Sequence, residues 1–422
     1  MLDRSQAPQI GKISMPALPQ YEVSSLPNGA MLYVMRGGEI PMARLDVYVP
    51  AGHTRSSRAL VSRATANMLV EGTPRISGVQ LSDKFEFFGS YYGASASIFN
   101  TVFSSVFLSK DLMEVASLVR QCVLESSFPD HEFEVLKSNL LQAWKVNCMK
   151  TKFLAACNMA HLLYAEGDRF GRTASQDDYM NLSPEMLRSF HAECYDPAGA
   201  CIFLGGQVSD ADIAFVARLF GSDWHSKGSW SRPTPAFAPT PKTEFVNFDS
   251  QQTSLKMCRP VMNVDDPDYM KFLVVDAILG GYFGSRLMQN LRERLGLTYG
   301  IRSCVNSESS VCVHSIDSEI RSGEHQRALD EIRAEIVRLR SEPVPMAELE
   351  TVRGFLLGEL LTDFSNFYSA MDIATQSIVS NRPLQRHRDF YDQICSITPD
   401  EILSVARKWL DPDAYFVSIV GK

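Results

Sequence analysis

An arginine and a tyrosine stand seven residues apart in the stretch SRLMQNLRERLGLTYG, which runs from Ser285 to Gly300. A guanidinium and a phenol are both hydrogen-bond donors, and the guanidinium is also permanently charged. Two such donors can act on one substrate only if the chain aims them at the same space. The chemistry open to Arg292 and Tyr299 therefore depends on the local structure between them.

The residues between this pair predict a sharp joint from a helix to a strand. Three leucines at helical spacing form the expected buried stripe, so Arg292 lies off that stripe. Gly296 predicts a left-handed helix cap, after which the chain returns as a strand beside the helix end. The alternative is structural, because arginine in a last turn complements the helix dipole and tyrosine is common in strands. The leucine stripe comprises Leu287, Leu291 and Leu295.

Composition limits the class of protein. The chain of 422 residues is long enough for more than one domain. Its net charge of −8, with both signs interspersed, argues against nucleic-acid binding. It has no apolar run of roughly 20 residues and no signal-peptide core, so no membrane partner is expected. Nine cysteines without a Cys-x-x-Cys pair indicate reduced core residues of a cytoplasmic protein, as at Cys201, Cys258 and Cys312.

An internal repeat is the strongest indication of the architecture. Leu182–Gly206 and Ile397–Gly421 both open with Ser/Thr-Pro-acid, continue as a helix to Asp-Pro and end in an apolar strand that closes at glycine. Pro129–Leu141 and Pro345–Leu357 form a second matching pair, at an offset of 216 residues against 215 for the first. The chain is therefore predicted to hold two copies of one unit.

The repeat and a proline-rich segment together predict the domains. Four prolines fall within Pro233–Pro241, which excludes a helix or a central strand there. We expect an N-terminal extension at 1–20, a first domain at 21–220, a linker at 221–244 and a second domain at 245–422. Strand-like alternation and long amphipathic helices in both halves predict an α+β fold, with a mainly antiparallel sheet covered by helices in each domain.

The two-domain pattern and the run GGYFGSRLMQNLRERLGLTYGI together resemble the pitrilysin-like metallopeptidases, a family that includes the mitochondrial processing peptidase and small two-domain bacterial members. The resemblance covers nearly the whole chain, from Tyr21 to Lys422. It implies that the two homologous domains form a clamshell around a peptide. It also implies that Arg292 and Tyr299 fall on the arginine and tyrosine with which the family's second domain holds the scissile region of the substrate.

The zinc motif of that family is absent from this chain. In the family His-x-x-Glu-His runs directly into Met-Leu-x-x-Gly-Thr, and the corresponding segment here is RATANMLVEGT. Arg63, Ala66 and Asn67 therefore replace the two histidines and the catalytic glutamate. The helix that should carry the last zinc ligand corresponds to Val135–Lys150, which contains no acidic residue. Zinc needs about three nitrogen or oxygen side-chain ligands here, so no cofactor is expected on this chain.

Other candidate motifs are weaker. His131 begins the run HEFEV, but Val135 replaces the second histidine, and His53 is interpreted as a loop residue. The run LGGYFGSR lacks the Lys-Ser/Thr of a phosphate loop, so Gly280 is expected to allow close helix packing or to break a helix. Gly93–Asn100 is either an edge strand that binds peptide by β-augmentation or a strand packed in the core.

Loss of the zinc motif together with retention of the Arg/Tyr pair is the pattern of one of the two subunits in the heterodimeric peptidases of this family. The resemblance implies a non-metal subunit that binds peptide and completes the active site of a homologous partner carrying His-x-x-Glu-His and the zinc. In that role Tyr299 donates to the oxyanion and Arg292 holds the substrate, while the isolated chain is inactive and could form a homodimer. The alternative is a catalytically inactive scaffold or peptide-binding protein of the same fold.

Overall fold

Two β-sheets form the framework of the protein, as seen in a computed structural model that describes residue 11 and residues 13–228 and 230–422. The strands of the first sheet are β1 (Glu22–Ser25), β2 (Met31–Arg36), β3 (Met42–Val49), β4 (Tyr91–Ala96), β5 (Thr101–Leu108) and β6 (Cys201–Gly206). Those of the second sheet are β7 (Thr243–Asn247), β8 (Gln252–Asn263), β9 (Thr298–Asn306), β10 (Val311–Arg321) and β11 (Phe416–Gly421).

Helices surround both sheets. Those associated with the first half of the chain are α1 (Val61–Met68), α2 (Gly78–Phe87), α3 (Leu112–Leu124), α4 (Asp130–Asn147), α5 (Thr151–Leu163), α6 (Gln176–Met180), α7 (Pro184–Cys194) and α8 (Asp210–Gly221), with single 3₁₀ turns at His53–Arg55 and Ser109–Asp111. Those of the second half are α9 (Tyr269–Asp276), π-helical segments at Ala277–Gly281 and Met288–Arg294, α10 (His325–Ser341), α11 (Met346–Asp363), α12 (Phe367–Val379), α13 (Gln385–Ser396) and α14 (Pro399–Trp409). No helix in the described part of the chain is long and apolar enough to cross a bilayer.

The repeated sequence segments fold as predicted. Both α7 and α14 begin with proline at their first position, after the hydroxyl residues Ser183 and Thr398. The Thr398 side chain also forms a reciprocal capping box with Glu401. The two helices then lead into β6 and β11, the strands that close the two copies.

The two sheets follow the same path. Their strand orders are β1-β2-β6-β3-β5-β4 and β7-β11-β8-β10-β9. In each sheet the closing strand, β6 or β11, pairs in parallel with one neighbour and antiparallel with the other, and the remaining pairs are antiparallel. Among the strands in the described residues, only β1 lacks a counterpart. The observed fold class is the expected one: an α+β clamshell of two homologous domains, each a mainly antiparallel sheet covered by helices.

Each sheet is covered on its inner face by a helix from the opposite half of the chain. Helix α5 packs on the second sheet, where Met159 and Phe416 belong to one buried cluster and the Asn158 amide donates to the Ser418 hydroxyl over 3.1 Å. Helix α12 packs on the first sheet in the same way, with Met371 buried against it. The two halves are thereby joined by exchanged helices as well as by the intervening segment.

The proline-rich segment contains no helix in its described residues, which leave out Ser229. Its Phe237 forms an isolated bridge with Tyr164 at the end of α5, and the second sheet begins with β7 at Thr243, just inside the predicted linker. The domain boundaries themselves remain predictions. Most of the predicted N-terminal extension, 1–20, lies outside the described residues. Within the described part, the hydroxyl of Tyr391 donates to the carbonyl of Ile13 over 2.9 Å.

Candidate functional site

The joint between the helix and β9 has the predicted geometry. Gly296 has a φ of +60°, the left-handed conformation of a helix cap, where a side chain would be strained. The amide of Leu297 then donates to the carbonyl of Leu291 over 2.9 Å, and the strand starts at the next residue. The three leucines of the predicted stripe lie in or against the second hydrophobic core: Leu287, Leu291 and Leu295.

The helix before this joint is π-helical, which the sequence did not predict. At its end the backbone amide of Leu295 donates to the carbonyl of Asn290, five residues earlier, over 3.0 Å. A π segment inserts an extra residue per turn and so rotates the residues that follow it relative to an α-helix. The buried side-chain amide of Asn290 anchors the segment by donating to Glu335 over 2.7 Å and to Glu331 over 3.0 Å.

Tyr299 lies on the edge strand of the second sheet with its ring in solvent. Its side chain is 89% exposed, although tyrosine usually buries part of its ring. The pairing of β9 with β10 shifts register between Ser318 and Ile320, opposite this position. Such a bulge locally redirects a strand and its side chains. Tyr299 therefore points away from the core, at the margin of a cavity.

Arg292 lies over the ring of Phe283, with its guanidinium carbon 4.5 Å from the ring centroid. The nearest carboxylate contact is with Glu293, at 3.6 Å, and the arginine side chain is about one-third exposed. Arg292 does not itself line the cavity beside Tyr299, but Phe283 does. The geometry thus brings the predicted pair to one region through an aromatic residue that sequence reasoning missed. The available signal was an aromatic pair placed between glycines in GGYFGS.

The cavity has a volume of about 940 Å³ and lies between the second sheet and helix α5. Its floor is formed by β8, β9 and β10, and its wall by the segment Gly280–Phe283. Lys152 and Ala156 of α5 close it from the side of the first half of the chain. A site at this position is therefore built from both halves, and Tyr299 stands on its rim.

The segment that replaces the zinc motif lies on helix α1. Arg63 is exposed and Asn67 half-buried, one turn apart on one face, while Ala66 is buried in the core. A guanidinium repels a cation and a methyl group supplies no ligand, so these residues do not fit zinc. In the part of the chain that the structure describes, no group of three or more His, Cys, Asp or Glu residues could hold a metal ion.

The surroundings of His53 and His131, the two histidines considered from the sequence, indicate no catalytic or metal-binding role. The Nδ1 atom of His53 lies 2.6 Å from the hydroxyl of Ser62, and burial together with the charge of Arg63 lowers the pKa of His53. His131 is exposed in the first turn of α4, the helix that also contains most of the acid-free Val135–Lys150 run. Neither histidine belongs to a site.

The packing around Gly280 and the position of Gly93–Asn100 in the first sheet decide between the alternatives that the sequence left open for these two segments. A side chain at Gly280 would lie 2.7 Å from the hydroxyl of Ser303, so this glycine allows a helix to pack against β9. The adjoining Gly281 ends the first π-helical segment. The run at Gly93–Asn100 contributes to β4, which is the edge strand of the first sheet with alternating exposed and half-buried residues. It is therefore not a core strand.

Comparison with known proteins finds similarity to the M16 peptidases and to proteins described as zinc proteases. A family model described as the peptidase M16 inactive domain matches residues 181–356. An uncharacterised zinc protease of Mycobacterium tuberculosis is 23% identical over 416 residues, which cover 94% of this chain and 92% of that protein. An uncharacterised zinc protease of Bacillus subtilis is 20% identical over 349 residues, which cover 82% of this chain and 84% of that protein.

Solved structures share the fold over nearly the whole chain. A peptidase M16 inactive domain from Pseudomonas fluorescens superposes with a TM-score of 0.85 at 24% identity, covering 95% of this chain and 98% of that one. A protease from Helicobacter pylori superposes with a TM-score of 0.84 at 16% identity, covering 96% and 100%. Residues 181–356 of the chain therefore match the inactive domain of the M16, or pitrilysin-like, metallopeptidases, and the chain as a whole has the two-domain fold of the M16 structures.

Proposed function

We propose that this chain is the non-metal, substrate-binding subunit of a heterodimeric zinc peptidase that acts on peptides. The exposure of Tyr299 carries the proposal, because a ring that is 89% exposed stabilises the fold little. A phenol at the rim of a large cavity, whose wall includes the Phe283 ring that carries the Arg292 guanidinium, is suited to recognising a substrate. The absence of ligands at Arg63, Ala66 and Asn67 supports a role that depends on another chain for the metal.

The chemistry of this chain in that complex is hydrogen-bond donation. A homologous partner with His-x-x-Glu-His would hold the zinc, which supplies Lewis-acid chemistry and an activated water when bound. The phenol of Tyr299 donates a hydrogen bond to the scissile carbonyl oxygen as negative charge develops on it. The guanidinium of Arg292 holds and orients the substrate backbone. One well-placed donor of this kind stabilises a transition state by about 3–4 kcal/mol.

The proposal extends to assembly and location. Without its partner the chain binds peptide but does not cleave it, and two copies can associate through the surfaces that otherwise meet the partner. A cytoplasmic location is supported by the state of the cysteines, all nine of which are free thiols.

The test is to co-express the chain with a homologous chain that carries His-x-x-Glu-His and to assay the purified pair on unfolded peptides. Tyr299→Phe keeps the ring and removes the donor, so kcat should fall by about 10²–10³ with assembly unchanged. Tyr91→Phe is the matched control, since Tyr91 is 82% exposed on β4, the corresponding edge strand of the first sheet. Equal activity per assembled molecule for both variants would contradict the proposal and identify the chain as a scaffold.

A further inference from the structure

The floor of the cavity beside Tyr299 carries ordered rows of charge across three strands. Asp317 of β10 lies directly opposite Lys256 of β8 on one side and Arg302 of β9 on the other. One row further along, Glu319 lies opposite Ser254. Residues two apart on a strand share a face, so all of these side chains are directed at the same space, and all of them line the cavity.

The carboxylates of the floor already have partners. The ammonium group of Lys256 forms an ion pair with Asp317. Glu319 accepts a hydrogen bond from the Ser254 hydroxyl over 2.7 Å and another from the Thr151 hydroxyl over 3.2 Å. Because Thr151 belongs to α5, this second bond also fixes the helix that closes the cavity. A cationic ligand at Asp317 would have to displace Lys256, and one at Glu319 would have to displace these two hydroxyl donors.

The remaining cations lie on two sides of the cavity. Arg302 is exposed on the edge strand, and Lys152 is exposed on α5, which comes from the other half of the chain. Neither forms an ion pair with any residue that the structure describes. Much of the remaining lining is apolar and partly aromatic, so it offers a surface on which an apolar side chain beside a bound charge can pack. The apolar lining consists of Ala156, Tyr282, Phe283, Met288 and Ile301.

We propose that this cavity binds a carboxylate of the peptide, either an acidic side chain or the free C-terminus, between Lys152 and Arg302. The inference rests on the proposed function only in taking a peptide as the occupant of the cavity. An apolar side chain next to that carboxylate packs on Phe283 and Tyr282. The specificity of the subunit is thus for peptides that carry negative charge close to an apolar residue.

Binding to the purified chain tests the inference without requiring catalysis. Fluorescently labelled peptides of one sequence, with Glu, Gln or Lys at a single position and with a C-terminal acid or amide, are titrated by fluorescence anisotropy. A charge-assisted contact predicts about tenfold tighter binding of the matching carboxylate form than of its neutral counterpart. The difference should shrink as salt is raised from about 0.05 to 0.5 M. The Glu/Gln pair and the acid/amide pair show which source of carboxylate is bound.

Two variants and a control decide where the carboxylate binds. The double variant Lys152→Ala/Arg302→Ala should remove the preference for the acidic form, and Lys152→Glu/Arg302→Glu should reverse it in favour of the Lys peptide. Lys145→Ala/Arg327→Ala changes the net charge equally at exposed positions outside the cavity and should keep the preference. Equal binding of all peptides, or a preference that survives the first double variant, would overturn the inference.

The two proposals fail in different measurements. If the reconstituted pair cleaves peptides but the chain shows no preference for a carboxylate, the inference about the cavity is wrong and the proposed function stands. If the chain prefers acidic peptides but no pair cleaves them, the cavity site stands and the chain is a peptide-binding protein.

Discussion

The guanidinium of Arg292 is stacked on the ring of Phe283, 4.5 Å from its centroid, and that ring forms part of the wall of the interdomain cavity. Phe283 is 68% exposed, so its place in the fold is not explained by core packing. We infer that it positions the arginine. The side chain of an arginine on a helix end samples many rotamers, and a ring beneath the guanidinium restricts them.

Replacing Phe283 by leucine should therefore act through Arg292. In the reconstituted pair we expect kcat/KM to fall about 2–5-fold, the equivalent of an exposed cation–π contact. The same change in an Arg292→Ala background should have no further effect, because the interaction is already lost. Phe87→Leu, at a position that is also highly exposed, is the control. Additive losses in the double variant would show that Phe283 does not act through the arginine.

The kinetic effect of Arg292→Ala should differ from the effect of removing the Tyr299 hydroxyl. A charged anchor contacts the substrate in the ground state and in the transition state, so its loss should raise KM as well as lower kcat. Tyr299→Phe should change kcat with little change in KM. Steady-state kinetics of both variants on one peptide separate the two roles, and a pure stability effect would appear instead as a lowered Tm with unchanged specific activity.

Zinc analysis should separate this chain from the M16 peptidases that carry the zinc motif. The purified chain should retain no stoichiometric zinc after dialysis against a chelator, as measured by elemental analysis. Arg63→His/Asn67→His would place two imidazoles one turn apart on α1, but without a carboxylate from α4 it should bind zinc far more weakly than a three-ligand site. One tightly held zinc per wild-type chain would contradict the interpretation of this helix.

A buried carboxylate in the first sheet predicts unequal effects of two substitutions. Asp46 is fully buried, accepts a hydrogen bond from Ser104 and lies 2.8 Å from Nε of Arg44, and burial raises its pKa. Arg44→Met leaves this group without its counter-charge and should cost about 3–5 kcal/mol of stability. Asp372→Asn breaks the more exposed pair between α12 and Arg44 and should cost only about 0–1 kcal/mol. Denaturant unfolding of the two variants compares them directly.

Three histidines predict a loss of stability in mild acid. Burial lowers the pKa values of His53, His191 and His387. A histidine whose pKa is lowered by folding binds its proton more weakly in the folded state, so its contribution is complete above about pH 6.5 and declines as the pH falls below that value. The charge of Lys227 also lowers the pKa of His191, whose Nε2 lies 2.7 Å from the carbonyl of Val123. His191→Gln should therefore flatten the fall in Tm between pH 7.5 and 5.5, with the exposed His131→Gln as control.

Sequence patterns captured the parts of this protein that depend on local chemistry. Gly296 could be assigned a left-handed conformation because a helix cap demands a residue without a side chain. The proline that opens both α7 and α14 marked the repeat, since its missing amide is tolerated only in a first turn. The stripe through Leu287 and Leu291 placed one face of the helix against the core.

Other features depend on tertiary structure and left no local signal. The π-helical turn before Gly296 is anchored by Asn290 and the distant Glu335, and helical periodicity alone does not reveal it. The charge row through Lys256, Asp317 and Arg302 exists only when three strands pair in one register, so the residues appear unrelated along the chain. The sequence of α5 likewise does not show which of the two sheets this helix covers.

Because α5 and α12 are exchanged between the two halves, we expect the two domains to unfold together as one cooperative unit. Expressed alone, either half would lack the helix that shields its sheet and would leave apolar residues such as Phe416 or Phe203 in water. A protease that cuts the proline-rich connection would consequently produce two fragments that remain bound to each other. A wide hinge motion about the linker would pull α5 and α12 off the sheets on which they pack, so we expect the clamshell to open only through movements that keep both helices in place.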